Sequence, residues 1–130
     1  MAIPNRIVLI DDNYTTNFLN KMVIERSSVN TEVMAFENPL QALTFIKDSQ
    51  AEMYGWLIFL DINMPEMDGW SFADQYSLLN IGHTNVLVML TSSIDPRDEE
   101  RALRHPVIND YRTKPLTFEI LDELRETYFA

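Results

Sequence analysis

The chain of 130 residues is 46% apolar, enough for one domain with its own core, and it has no cysteine, which excludes disulfides, thiolate metal ligands and a cysteine nucleophile and fits a reducing compartment. Twenty acidic against ten basic residues leave a formal charge of −10, a field that repels phosphate backbones and anionic lipid, so neither nucleic acid nor a membrane is an expected partner. No leader pattern and no apolar run near the roughly 20 residues that span a bilayer stands in the sequence, and a cytoplasmic location is the expectation.

Arg6–Ile10 is a short aliphatic run that stops at Asp11-Asp12 and reads as a buried strand of a parallel sheet. Thr15–Arg26 follows, with Phe18, Leu19, Met22, Val23 and Arg26 at helical spacing. Glu32–Phe36 is a second strand, and Asn38-Pro39 is an N-cap followed by a first-turn proline, with Leu40, Leu43 and Ile46 continuing an apolar face. Trp56–Leu60 is a third strand, ended by Asp61. Between Asp68 and Leu79, Trp70, Ala73 and Tyr76-Ser77 fall on a helical period.

A fourth strand is expected over Asn85–Leu90, ended by Thr91. Asp95-Pro96 repeats the cap-then-proline device, with Asp98, Glu99 and Glu100 favourable against the positive end of the helix dipole. Val107–Arg112 reads as the fifth strand, closed off by Pro115 after Lys114, and a last helix near Thr117–Thr127 buries Ile120, Leu121 and Leu124.

Strands alternating with helices at this length mean βαβ units with right-handed crossovers and helices on both faces. The expected fold is an α/β, (βα)5 doubly wound parallel sheet, and 1–130 reads as a single stand-alone domain that starts at Met1. In the flavodoxin-like strand order 2-1-3-4-5, the first and third strands are neighbours at the switch point, and ligands gather outside the carboxyl ends. That order sets Asp11, Asp12 and Asp61 side by side.

Carboxylates this close repel one another unless a cation sits among them, and their hard oxygens suit Mg²⁺. None of the glycines, at 55, 69 and 82, builds a phosphate-cradling loop, so phosphate must be held by metal and side chains. Lys114 can supply a positive charge to a phosphoryl oxygen and Thr91 a hydroxyl. An aspartate between metal and lysine can itself attack phosphorus and form an acyl phosphate. Tyr111, judged from the residues alone, is equally a switch or half-buried packing. Pro65 and Gly69 shape the loop after the third strand, His83 and His105 read as solvated, and the methionines read as core filling.

Taken together, Asp11-Asp12, Asp61 with the Ile-Asn-Met-Pro-Glu-Met-Asp-Gly that follows it, Thr91-Ser92, Tyr111 and Lys114-Pro115 resemble the CheY-like receiver domain of bacterial two-component response regulators. The resemblance runs from about Arg6 to the last helix. It implies that Asp61 is the phosphoacceptor, charged by a sensor histidine kinase or histidine phosphotransfer protein. It implies Mg²⁺ held directly by Asp12, Asp61 and the Asn63 backbone carbonyl, with Asp11 acting mainly through a bound water. Thr91 and Lys114 then hold the phosphoryl oxygens, Tyr111 follows Thr91 as the switch aromatic, and the Lys114-Pro115 bond is cis.

On this reading the chain is no enzyme beyond its own phosphorylation and dephosphorylation. The switched face, built from Asp95–Arg104, Val107–Arg112 and Thr117–Thr127, would meet a downstream protein or form a phosphorylation-dependent homodimer. Ser92 departs from the alanine or glycine usual in the family, and Asn63 and Ser93 fall where the family sets the lifetime of the acyl phosphate. A Mg²⁺-dependent phosphohydrolase with an aspartyl nucleophile is the alternative, but it wants an acid two residues after the nucleophile, where this chain has Asn63. A flavodoxin-like cofactor binder wants a Ser/Thr/Gly-rich loop where this chain has Asp-Asp-Asn-Tyr.

Overall fold

The computed structural model describes residues 3–130. Its sheet has five strands, β1 (Arg6–Ile10), β2 (Glu32–Phe36), β3 (Trp56–Leu60), β4 (Val86–Thr91) and β5 (Asp110–Thr113), in the order β2-β1-β3-β4-β5. Every pairing is parallel, and the registers Ile10–Leu60, Leu60–Met89 and Met89–Tyr111 bring the carboxyl ends of the four strands from β1 to β5 level with one another. The chain folds as the expected flavodoxin-like (βα)5 domain. Among the described residues no helix is long and apolar enough to cross a membrane.

The central strands β1, β3 and β4 are buried on both faces, which is why their sequences are continuous apolar runs instead of alternating ones. Ile7, Leu9, Leu57, Phe59, Val88 and Leu90 face one core, against α1 (Tyr14–Arg26) and α5 (Phe118–Tyr128). Val8, Ile10, Ile58, Leu60, Leu87 and Met89 face the other, against α2 (Pro39–Ser49), α3 (Gly69–Ser77) and α4 (Pro96–Arg104). Each of these helices opens on a side chain that accepts from a first-turn amide, namely Asn13, Asn38, Asp68, Asp95 and Thr117. These caps fix where each crossover leaves the carboxyl end of the sheet.

Four local expectations are corrected. β5 begins at Asp110 and not at Val107, because Val107 and Ile108 close the turn after α4, where the Ile108 amide donates to the His105 carbonyl. Asn109 extends the pairing without being strand: its amide donates to the Leu87 carbonyl at 2.8 Å and its Oδ1 accepts from the Leu87 amide at 2.9 Å. On α1 the buried positions are Asn17, Asn20 and Ile24, while Phe18 and Leu19 are 50% and 53% exposed. On α2 Leu43 and Ile46 are buried as expected but Leu40 stands out in solvent.

His105 is the fourth. Its side chain is only 13% exposed, its Nε2 lies 2.8 Å from Asp74 Oδ1, and its Nδ1 accepts from the Val107 amide. An accepting Nδ1 leaves the proton on Nε2, aimed at Asp74, so this histidine pins the end of α4 to α3. The Arg101 guanidinium, 4.3 Å above the Trp70 ring, makes a second tie between the same helices. His83 is exposed, as expected.

Candidate phosphoacceptor site

β1 and β3 end together, so the residues immediately past them are forced into contact. The Asp61 amide donates to the Ile10 carbonyl at 3.0 Å, which continues the ladder by one bond and fixes the Asp61 backbone. Asp11 and Asp61 are both buried, and Asp12 turns out to solvent. One oxygen from each of the three lies within 4.8 Å of the others. Gly69 holds the following loop against this point: its amide donates to the Ile62 carbonyl at 2.7 Å, and a Cβ there would sit 2.5 Å from the Asp61 carbonyl oxygen. Only glycine permits that approach.

The acids are not equivalent. Asp11 Oδ1 accepts from the Asn13 amide at 2.9 Å, and its Oδ2 is ion-paired with Lys114. Asp61 Oδ1 accepts from the Ile62 amide at 2.9 Å, and its Oδ2 lies 3.3 Å from Lys114 Nζ. Burial, and next the charge of Asp11, push the Asp61 carboxyl above the ordinary carboxylate range, against the opposing pull of Lys114 and Thr91. For Lys114, burial is the largest single influence and disfavours the ammonium, yet the hydrogen bond and charge of Asp11, with Asp61 behind it, together hold the pKa above its usual value. The corner therefore carries more negative charge than its one lysine neutralises. An all-oxygen set at this spacing fits a hard divalent cation.

The sheet also delivers the remaining candidates. Thr91, the last residue of β4, is fully buried, and its carbonyl accepts from the Lys114 amide at 2.9 Å, which sets the lysine beside the acids. The Lys114-Pro115 bond is cis, as expected. Tyr111 is half-buried, its hydroxyl donating to the Ser93 carbonyl at 3.1 Å, and burial raises its pKa. Ser92 and Asn63 are exposed at the rim.

One residue near the site escaped the sequence reading, and another has contacts that the reading did not foresee. Asn17 Nδ2 donates to the carbonyls of Asp11 at 2.8 Å and Phe36 at 3.3 Å, holding the β1–α1 turn under the acids. Ser93 joins Thr91 to Tyr111. A polar residue on the inner face of a helix was the available signal for Asn17; for Ser93 the position was visible in the sequence, but its bonds to Thr91 and Tyr111 were not.

The cavity beneath Asp11 and Asp61, lined also by Asn17 and Asn20, measures about 10 Å³, room for a water and not for a small-molecule substrate. Buried acids, a lysine and a buried threonine gathered at the carboxyl ends of a flavodoxin-like sheet define the class of phospho-accepting signalling domains. Residues 7–126 match the response regulator receiver domain, and the chain belongs to that family. A two-component response regulator from Cytophaga hutchinsonii superposes with a TM-score of 0.89 at 28% identity, over 96% of each chain. A response regulator receiver protein from Dyadobacter fermentans gives 0.87 at 26% identity, over 95% of this chain and 97% of that one. A probable C4-dicarboxylate response regulator of Halalkalibacterium halodurans is 32% identical over 116 residues, covering 89% of this chain and 47% of the relative. The chain spans half or less of that relative and of two further ones it matches. Receiver domains accept phosphoryl groups from histidine kinases, and this chain has a signalling role.

Proposed function

We propose that residues 1–130 act as one receiver in which Asp61 takes a phosphoryl group from a sensor histidine kinase or a histidine phosphotransfer protein in the cytoplasm. The observation that carries this is the pairing of Asp61 with Lys114 at 3.3 Å inside an oxygen cluster that repels itself. Asp11, Asp12, Asp61 and the Asn63 backbone carbonyl would hold Mg²⁺. When bound, the ion supplies positive charge that offsets the carboxylates and the phosphoryl oxygens.

An Asp61 carboxylate oxygen attacks phosphorus, the P–N bond to the donor imidazole breaks as the P–O bond forms, and the freed imidazole takes up a proton. Lys114 holds one phosphoryl oxygen by its ammonium and Thr91 another by its hydroxyl. Asp61 sits in a surrounding that disfavours its charge, and the product adds more, so Lys114, Thr91 and the bound cation would have to offset that added charge. The groove lined by Leu19, Met22, Val23, Pro115, Leu116 and Phe118 includes the residue that follows Lys114, and the exposed Leu19 and Phe118 offer apolar footing for the histidine-bearing donor.

The product carries roughly −1.5 to −2 charge at Asp61. Thr91 answers by moving its hydroxyl toward the new oxygens and Tyr111 follows, biasing the α4–β5–α5 face toward a downstream protein or a second copy. Acetyl phosphate with Mg²⁺ tests the assignment: intact mass should show one added phosphoryl group in the wild type and none in Asp61→Asn. Label persisting in Asp61→Asn would assign the nucleophile elsewhere.

A further inference from the structure

Four hydrogen bonds converge on Ser93, and each leads to a different part of the switch. The Ser93 amide donates to Thr91 Oγ1 at 3.3 Å. The Ser93 carbonyl accepts from the Tyr111 hydroxyl at 3.1 Å. The Ser93 hydroxyl donates to Asp98 Oδ2 at 2.5 Å and accepts from the Asp95 amide at 3.3 Å. Asp95 is the N-cap of α4 and Asp98 lies in its first turn. Ser93 is half-buried, where such bonds are shielded from competing water.

The consequence is mechanical. Thr91 Oγ1 accepts from the Ser93 amide while its hydroxyl proton is free to point at Asp61, so a phosphoryl group that displaces this oxygen must stretch the Ser93 bond or carry Ser93 with it. Ser93 is the second residue after Thr91, so its backbone has little slack, and its side chain is tied to α4 by two bonds. A shift at Thr91 is therefore carried to the cap and first turn of α4, as well as to the Tyr111 hydroxyl. From this we propose that Ser93 is the positioning residue that transmits the state of Thr91 to the amino end of α4, through its hydroxyl bond to Asp98.

This inference rests on the receiver reading and goes beyond it, because Asp61, Lys114 and Thr91 need no serine at 93 to accept phosphate. It also makes the coupling reciprocal: a partner that moves the first turn of α4 alters how readily Thr91 reaches a phosphoryl oxygen.

Amide exchange of full-length protein with Mg²⁺, with and without beryllofluoride as the acyl-phosphate mimic, tests it. In the wild type, protection should change both around Asp61 and over residues 95–100. In Ser93→Ala and in Asp98→Ala the change around Asp61 should remain and the change over 95–100 should vanish, and Ser93→Thr, which keeps the hydroxyl, should restore it. A general loosening of the loop would not be rescued by threonine alone. If both alanine variants pass the change to 95–100 undiminished, the Ser93 route is overturned while the receiver reading stands. If beryllofluoride alters nothing in the wild type, both fall together.

Discussion

The two ends of the sheet use polar residues in opposite ways. At the amino end, Asn85 is buried and saturated: its Oδ1 accepts from the Trp56 amide at 3.0 Å, and its Nδ2 donates to the Ile81 carbonyl at 2.9 Å, the Met53 carbonyl at 3.3 Å and Thr84 Oγ1 at 3.2 Å. Nearby, Arg6 lies 5.0 Å above the Trp56 ring and pairs with Glu32 at 2.9 Å. At the carboxyl end, three carboxylates share one lysine, and burial holds Asp61 against its charge. One end spends its polar groups on holding strands together, and the other keeps its polar groups in tension for chemistry. That is the pattern of a scaffold with a site grafted on one edge.

Breaking the saturated end should cost most. Asn85→Ala takes the side-chain partner from the Trp56 amide and the Met53 carbonyl, and about 3 kcal/mol of stability should be lost in urea unfolding, with phosphorylation little changed in the folded fraction. Gly69→Ala forces a methyl against the Asp61 carbonyl at the working end. About 2 kcal/mol should be lost by overpacking. Here the rate of phosphorylation by acetyl phosphate should fall as well, because the displaced backbone is that of the proposed phosphoacceptor. If that rate is unchanged, Gly69 does not position Asp61.

Asp61→Asn should do the reverse and stabilise the metal-free protein at neutral pH. The sign follows from the raised carboxyl: the native state binds the proton more tightly than the unfolded chain, so wild-type stability falls as pH rises through the folded-state pKa. Thermal unfolding in a chelator should therefore show Asp61→Asn above wild type at pH 7, the gap closing as pH falls through the carboxylate range. Mg²⁺ should stabilise the wild type by about 1.4 kcal/mol at ten times its Kd, and the variant by less.

The smallest expected effect concerns a buried group used by neither end. Tyr76 is fully buried on α3, its hydroxyl has no hydrogen-bond partner among the described residues, and burial alone takes its pKa above the ordinary value. Tyr76→Phe should leave stability unchanged or raise it by up to about 1 kcal/mol in the same urea assay, with phosphorylation unaffected.

The contrast between the ends also explains what the sequence disclosed. β1 and β3 are legible to the residue because strands buried on both faces must be continuous apolar runs, and the break in each run at Asp11 and Asp61 marks the edge of the sheet. The start of β5 was not legible, because Val107 and Ile108 are apolar for the sake of a buried turn and Asn109 pairs through its side chain. The α1 stripe misled for a related reason: Asn17 turns inward to reach two backbone carbonyls, which leaves Phe18 and Leu19 outside. His105 found Asp74 across 31 positions of sequence, a meeting set by how α3 and α4 pack and by nothing local. Asp11, Asp12, Asp61, Thr91 and Lys114 were legible as a set because the fold fixes where strand ends meet, and strand ends are visible in the chain.

The central claim is that Asp61 is the residue phosphorylated. Protein treated with acetyl phosphate and Mg²⁺, then reduced with borohydride, converts an aspartyl phosphate to homoserine, which peptide mass mapping locates. Homoserine at position 61 is the predicted result. Homoserine at position 11 or 12 with Asp61 intact, or none anywhere in a folded wild-type protein, would contradict the account.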